Sequence, residues 1–499
     1  MSTTAGMPTG GEAGDGGSGL DVLREIAGLR RQRIRTQGHE MGAAVPTSRA
    51  VPLVPFGADP FVLCEVKRRS PSRGEIAPGR DAVEQARLYA DQGARSISVL
   101  TEQDRFDGSL EDLGRIKQAL PHLAVLRKDF LLDVEDVEVS WRAGADAVLL
   151  IASLLERERL EAMHAAARKH GMAALVELHD ADDVDKCRSL APGLIGINCR
   201  DLRTFRVDLL DPVFLLPRVD WNARVVFESG IRAAEDVRLA RSAGFDGVLV
   251  GEAAMREPRL IPELAQALRF PPGGFWPRLG ARRELAARAG RPLVKVCGIT
   301  RAEDAEAARS LGADALGFVL APSKRRADPR VLRDLRDMDV LKVAVVVTEK
   351  PNGRRRLDPE VRELLAEGLV HAVQLHGDEE PGECAALAFP YFKALRIRGL
   401  DDVQGMRQYR SPRVLADAWS AEAAGGTGQR VPEELARAAR DAGPLWLAGG
   451  IGPANVREVI DRFSPELIDA SSALEESPGR KDPARLRKFF EEIRKHEKV

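Results

Sequence analysis

The sequence predicts an α/β protein built from two consecutive (β/α)8 barrels. Its 499 residues are enough for two such barrels, each of which reaches ~250 residues as one domain. Short apolar runs alternate with amphipathic helical stretches along the chain. The step from helix to run also repeats as a small motif of Gly, one residue, Asp, then the apolar run. Gly144-Ala145-Asp146 precedes AVLLI, Gly244-Phe245-Asp246 precedes GVLVG, and Gly312-Ala313-Asp314 precedes ALGFV. Glycine is favoured just past a helix C-terminus because positive φ costs it little. Runs that are apolar throughout are expected of parallel strands buried on both faces.

Counting the runs in order gives two sets of eight. The first is 62–67, 96–101, 124–130, 147–152, 173–179, 194–200, 224–230 and 247–253. The second is 293–298, 315–321, 341–348, 372–377, 391–397, 413–418, 445–450 and 467–472. Helical stretches such as 81–91 and 303–310 lie between them. One or two open doubly wound sheets would show the same beat and remain the alternative. Between the sets, Phe270-Pro271-Pro272-Gly273-Gly274-Phe275-Trp276-Pro277 forbids a continuous element, and a charged helical piece follows it. The expected organisation is a disordered tail over 1–19, a first barrel over 20–268, a linker over 269–292 and a second barrel over 293–499. The tail is rich in Gly, Ser and Thr and has neither the basic residues nor the apolar run of a secretory signal.

Composition narrows the partners. The 76 acidic and 75 basic residues nearly cancel, so no global field favours nucleic acid or an anionic membrane. No apolar stretch approaches the ~20 residues that span a bilayer. The five cysteines are scattered without a Cys-x-x-Cys pair, which argues against structural zinc and suits a reducing cytoplasm.

Charged residues stand where strand cores should end. Alternate residues of a strand share a face. Glu65 therefore points with Lys67, Lys128 with Leu126 and Phe130, Glu177 with Leu175 and His179, and Asn198 with Arg200, while Glu228 follows an apolar run. Singly, each could be a solvated strand end. Together they would converge on one barrel mouth, where active sites of this fold lie. Buried charges are costly unless paired or used, and Lys with Glu equips a site for acid–base chemistry. Ser229-Gly230 after strand seven and Gly251 after strand eight leave backbone N–H groups open to an anion.

Glu65-Val66-Lys67-Arg68-Arg69-Ser70-Pro71-Ser72-Arg73-Gly74 resembles the signature of indole-3-glycerol-phosphate synthases. So do Ser98-Val99-Leu100-Thr101-Glu102, Leu126-Arg127-Lys128-Asp129-Phe130, Ile197-Asn198-Cys199-Arg200-Asp201-Leu202 and Glu228-Ser229-Gly230-Ile231. The similarity extends over 20–268. The resemblance implies a carbon–carbon lyase that closes, decarboxylates and dehydrates carboxyphenylaminodeoxyribulose 5-phosphate to the indole. By the same resemblance Lys128 is the general acid that helps expel the ketone oxygen, and Glu177 handles protons during dehydration. Lys67 would bind the substrate carboxylate, while Glu65, Asn198 and Glu228 orient these groups and the sugar hydroxyls. Ser70, Ser229, Gly230 and Gly251 would cradle the phosphate, with Phe130 and Arg200 in the substrate-binding set. A helix over 20–33 would be the family's N-terminal lid. The sequence departs from the family at Glu252-Ala253-Ala254-Met255, where a phosphate-binding Ser is usual.

In the second set, Lys295-Val296-Cys297-Gly298-Ile299-Thr300 ends strand one and Asp417 closes strand six. A Cys there can be a small buried hydrophobe, and such an Asp can be a helix cap. Lys295 on the same face is expected to lower the thiol pKa. The surroundings are similar to phosphoribosylanthranilate isomerase: Val373-Gln374-Leu375-His376-Gly377, Gly425-Gly426-Thr427-Gly428, Leu447-Ala448-Gly449-Gly450-Ile451 and Pro478-Gly479-Arg480-Lys481-Asp482. This resemblance implies an intramolecular oxidoreductase that performs an Amadori rearrangement. Asp417 would protonate the furanose oxygen and Cys297 would remove the C2′ proton. Thr427, Gly428, Gly450 and Ser472 would hold the phosphate, and Arg325 the anthranilate carboxylate. The sequence departs from the family at Lys324, at Ala473 and in the charged stretch 348–356.

The resulting expectation is a bifunctional enzyme of tryptophan biosynthesis acting on phosphorylated small molecules. It needs no metal and no cofactor, binds neither nucleic acid nor membrane, resides in the cytoplasm, and is a monomer or weak homo-oligomer. One alternative is an isomerase barrel that also takes the related histidine-pathway substrate. Another is a catalytically inactive second barrel kept for structure or binding.

Overall fold

A computed structural model describes residues 19–70, 74–76, 79–200, 206–269, 274–350, 355–385, 387, 389–418 and 430–495. Both sets of eight strands close into barrels. The first comprises β1 (Phe61–Val66), β2 (Ser96–Leu100), β3 (Ala124–Lys128), β4 (Ala147–Ile151), β5 (Ala173–Leu178), β6 (Leu194–Asn198), β7 (Arg224–Glu228) and β8 (Gly247–Val250). Each pairs in parallel with the next, and β8 returns to β1 through Phe61↔Gly247 and Cys64↔Val250. The second comprises β9 (Leu293–Cys297), β10 (Ala315–Val319), β11 (Leu341–Val346), β12 (Ala372–Leu375), β13 (Tyr391–Ile397), β14 (Val414–Ala418), β15 (Trp446–Leu447) and β16 (Leu467–Ala470). It closes through Lys295↔Asp469. The open-sheet alternative is thereby excluded.

The glycine–aspartate motif has a physical basis in both barrels. Gly144 and Gly312 end their helices at φ 106° and 112°. Two residues later the aspartate turns under the sheet. Asp146 accepts the Val125 N–H of β3 at 2.9 Å and pairs with Lys117 and Arg49, each at 2.7 Å. Asp314 accepts the Val294 N–H of β9 at 2.8 Å and pairs with Arg291 at 2.7 Å. Each carboxylate thus ties the start of one strand to the start of its neighbour, and satisfies backbone donors that would otherwise be buried unpaired.

Phe61, Leu63, Leu126, Leu149, Leu175 and Val226 pack together inside the first barrel. This apolar layer lies below the charged ends of the same strands. In the second barrel Val294, Val296, Leu316, Phe318, Ala344 and Val346 belong to the packed shell between strands and helices. The alternate residues Lys295, Cys297 and Gly317 therefore face the interior. Strand β15 is only two residues long, and Gly449 and Gly450 shortly after it take φ of 95° and 57°, outside the extended conformation.

Packing divides the chain into two compact units, one of Met1–Asp208, Arg218–Ile231 and Gly247–Pro262, the other of Leu209–Pro217, Arg232–Asp246 and Glu263–Val499. In the first unit the helix Gly19–Gln37 is fastened by Arg30, which pairs with Asp129 at 2.7 Å and Asp136 at 2.9 Å, beside the end of β3. In the second unit the helix Phe275–Arg288, inside the stretch expected to link the barrels, buries Phe275 and Trp276. Their rings lie 6.2 Å from those of Phe392 and Trp446, respectively. No helix among the described residues is long and apolar enough to cross a membrane.

Candidate active sites

In the first barrel the charged strand ends converge. Lys128, last residue of β3, donates to Glu177 Oε2 at 3.0 Å and to Glu228 Oε2 at 3.1 Å. Asn198, last residue of β6, donates to Glu177 Oε1 at 3.3 Å, and its own Oδ1 accepts the Arg200 N–H at 3.1 Å. Lys67 pairs with Glu65 at 2.6 Å. Gly251 gives that pair its space: a Cβ there would overlap Lys67 Nζ and stand 2.6 Å from Glu65 Oε2.

Electrostatics divides the two carboxylates on Lys128. Burial alone would lower the Lys128 pKa, but Glu177, Glu228 and Glu65 outweigh it and hold the ammonium above the ordinary lysine range. Burial also works against Glu177, yet Lys128 and His179 keep it well below the usual carboxylate range. Glu228 is pushed up to about 8 by burial and by the Glu177 charge, against the pull of Lys128. The constellation therefore holds a fixed cation, a fixed anion and a carboxyl that exchanges its proton near neutral pH, which is equipment for general acid–base catalysis.

The other expected residues of this half fall as follows. Phe130 follows β3 with its ring 6.2 Å from that of Phe106. Ser70 belongs to the two-residue strand Arg69–Ser70, which pairs with Gly74–Glu75. Ser229 and Gly230 take φ of 68° and 75°, directly after β7. For Ser229 this is a left-handed backbone that a non-glycine residue adopts at a cost, a feature often found at functional sites. Gly251 precedes the short helix Glu252–Arg256.

In the second barrel Cys297 ends β9 and is buried. Lys295, two residues before it, pairs with Asp469 of β16 at 2.7 Å. Asp417 on β14 lies 3.2 Å from His376 Nε2 and accepts the Ala418 N–H at 2.8 Å. His376 Nδ1 in turn meets Gln374 Nε2 at 3.0 Å. Burial pushes Asp469 up, and the Asp417 charge adds to this against Lys295. Lys295 acts on the Cys297 thiol in the expected direction without setting its net pKa. Lys295 and Lys481 do pull it down, but burial is the larger effect and holds the thiol above its ordinary value.

Arg325, expected to bind the anthranilate carboxylate, pairs with Glu475 at 2.9 Å. Glu475 also takes Lys481 at 3.1 Å, and Lys481 donates to the Cys297 carbonyl at 2.6 Å. The Gly450 carbonyl accepts from Asn455 at 2.9 Å, and Ser472 opens the short turn Ser472–Leu474. Thr427 and Gly428 lie outside the described residues. Ala473, a departure from the family pattern, turns its methyl toward Gly452, where a Cβ would lie 2.6 Å from it.

A family model described as Indole-3-glycerol phosphate synthase matches residues 52–266, and one described as N-(5'phosphoribosyl)anthranilate (PRA) isomerase matches residues 294–492. An indole-3-glycerol phosphate synthase of Neisseria meningitidis serogroup C is 44% identical over 258 residues, which are 49% of this chain and 98% of that protein. The chain belongs to the indole-3-glycerol phosphate synthase family and carries a PRA isomerase domain after it. A multifunctional tryptophan biosynthesis protein of Phycomyces blakesleeanus is 31% identical over 489 residues, 88% of this chain. The chain spans only 63% of that relative's length. A solved phosphoribosyl anthranilate isomerase from Thermus thermophilus is 34% identical, with 40% of this chain and 98% of that one covered and a TM-score of 0.35.

Several residues of the two domains escape sequence reasoning. In the synthase domain Gly196 of β6 faces Glu228: a Cβ there would overlap Oε1 and lie 2.9 Å from Cδ. In the isomerase domain Gly317 of β10 does the same for Cys297 and Lys295, with a Cβ at 2.7 Å from Sγ and 2.9 Å from Nζ. A strand glycine can mark a close approach, but only the fold shows what approaches. Asp469 also belongs to the second interior, and its one signal was its alternation with Leu467. His179 stands in the first interior beside Glu177, on the face where alternation placed it.

Proposed function

We propose that the chain catalyses two consecutive steps of tryptophan biosynthesis. The second barrel isomerises N-(5'-phosphoribosyl)anthranilate to carboxyphenylaminodeoxyribulose 5-phosphate. The first barrel cyclises, decarboxylates and dehydrates that product to indole-3-glycerol phosphate. The observation that carries the reading is Lys128 held between Glu177 and Glu228 inside a barrel of this family. Lys128 is the acid at the ketone oxygen, and the two glutamates accept and return protons. Lys67, steered by Glu65, takes the substrate carboxylate. Backbone donors at Ser229, Gly230 and Gly251, with Ser70, take the phosphate, and Phe130 and Arg200 line the substrate.

In the second barrel Asp417, backed by His376, is the acid that opens the ring, and Cys297 is the base. Arg325, set by Glu475, receives the anthranilate carboxylate. Thr427, Gly428, Gly450 and Ser472 hold the phosphate. We take 20–268 and 293–499 as the working domains and 269–292 as the connection. None of the five cysteines forms a disulfide, which suits the cytoplasm, and the partners are phosphorylated small molecules met by a monomer or weak homo-oligomer.

The test is to feed the purified chain N-(5'-phosphoribosyl)anthranilate. Consumption of its fluorescence with formation of indole-3-glycerol phosphate is expected. Substrate loss without indole formation would remove the synthase reading, and indole formation only from added carboxyphenylaminodeoxyribulose 5-phosphate would remove the isomerase reading.

A further inference from the structure

We propose that His179, held by Asp183, is a positioning residue that fixes Glu177 and makes the two carboxylates around Lys128 unequal. The proposal rests on reading the first barrel as a synthase. His179 stands two residues after Glu177 and so shares its interior face. Its Nε2 lies 3.2 Å from Glu177 Oε1, an ion pair when the imidazole is charged. Its Nδ1 lies 3.6 Å from Asp183 Oδ2 and 3.4 Å from Ser153 Oγ.

Asp183 is itself immobilised. Its Oδ2 accepts the His179 N–H at 3.0 Å, and its own N–H donates to Asp180, the N-cap of the helix Ala181–Cys187, at 3.0 Å. Asp183, His179, Glu177, Lys128 and Glu228 thus form a continuous line of facing groups across the barrel mouth. Glu177 has a partner on both sides. Among the described residues Glu228 pairs with one cation, Lys128, and its Oε1, pressed toward Gly196, makes no hydrogen bond.

The asymmetry has a function. With both glutamates ionised, two buried anions would share one ammonium; with both protonated, no base would remain. A second cation on one side only keeps Glu177 as the standing carboxylate and leaves the exchangeable proton to Glu228. Burial disfavours the imidazolium, but Asp183 and Glu177 overcome it and push His179 up to about 10, so it stays charged across neutral pH.

The experiment compares kcat for indole formation against pH in the full chain and in His179→Gln and Asp183→Asn, with thermal melts of each. Removing a cation beside a carboxylate raises the carboxylate pKa, by about 1–3 for a close pair. The acidic limb of the profile should therefore move to higher pH in His179→Gln by about one pH unit or more. It should move less in Asp183→Asn. At neutral pH kcat should fall ~10-fold or more, against the ~10²–10⁴-fold of a direct acid–base group. A uniform fall with the limb in place, or no change, would overturn the proposal. If His179→Gln fails to fold, ring nitrogen NMR of the parent decides. An imidazole still charged at pH 8 supports the role, and one titrating near the ordinary histidine value overturns it. A parent that forms no indole fails the synthase reading instead.

Discussion

Replacing Gly196 by alanine should damage the synthase far more than it damages the fold. A Cβ at this position would overlap Glu228 Oε1 and stand 2.9 Å from its Cδ. Ordinary carbon–carbon contact is ~3.5–4.0 Å, so the carboxyl carbon must retreat by roughly 0.6–1.1 Å. The obstacle is the end of a side chain rather than backbone, so the stability loss should sit at the low end of the ~1–3 kcal/mol typical of overpacking. Catalysis has less room. The Lys128–Glu228 bond is already 3.1 Å, and a displacement of that size away from Lys128 would carry it beyond hydrogen-bond range. Misplacement by 1 Å can cost ~10²-fold in rate. Turnover to indole-3-glycerol phosphate and melting should be measured on the same samples. Gly193→Ala serves as control, since no atom lies within 4 Å of a Cβ there. Turnover of Gly196→Ala within a few-fold of the parent would refute the claim that this glycine exists to seat Glu228.

Lys128→Ala should abolish indole formation, by ~10²–10⁴-fold, and leave isomerisation at the parent rate, as separate assays with each substrate will show. Cys297→Ala and Asp417→Asn should each cripple isomerisation and spare the synthase. Folded variants with parent turnover would return Cys297 to packing and Asp417 to capping, the latter worth only ~0.5–2 kcal/mol. Glu228 also sets a stability trend. Its carboxyl rises from the ordinary 4.5 to about 8 on folding, so its contribution is full below 4.5 and is lost as pH rises through 8. The melting temperature of Glu228→Gln should therefore gain on the parent across that window, and a constant difference would count against the assignment.

Both barrels were legible because two signals repeat: the Gly-x-Asp step and the short apolar run. The aspartate proved to be structural, tying strand starts in both barrels through Val125 and Val294. The first site was legible because period-two alternation carries Glu65, Lys128, Glu177 and Glu228 to one end. What stayed hidden is what depends on who stands opposite. A glycine in a strand carries no side chain to read, so Gly196 and Gly317 gain meaning only from Glu228 and Cys297. Arg325 and Glu475 meet across 150 residues of chain, beyond the reach of any local pattern. The net pKa of the thiol could not be read because the sequence displays the nearby Lys295 but not the burial that outweighs it.

The two interiors share a topology strand for strand, so their chemistry differs through what stands at matching places. Glu65 near the end of the first strand and Lys67 just beyond it stand in one barrel where Lys295 and Cys297 stand in the other. In the synthase domain Lys128 keeps side-chain exposure of 16%, above an apolar layer. In the isomerase Lys295 and Asp469 occupy the level below, at 1% and 6%, and Cys297 is buried with them. One interior therefore holds a carboxyl, Glu228, pushed up to about 8. The other holds a thiol that burial pushes above its ordinary pKa. From this follows a divergence within one chain. As pH rises through 8, Glu228 loses its proton and kcat for indole formation should fall, while the thiolate fraction of Cys297 grows and kcat for isomerisation should rise. Both rates can be followed in one preparation with saturating amounts of each substrate. Parallel profiles for the two activities would mean that these two groups do not set the pH dependence.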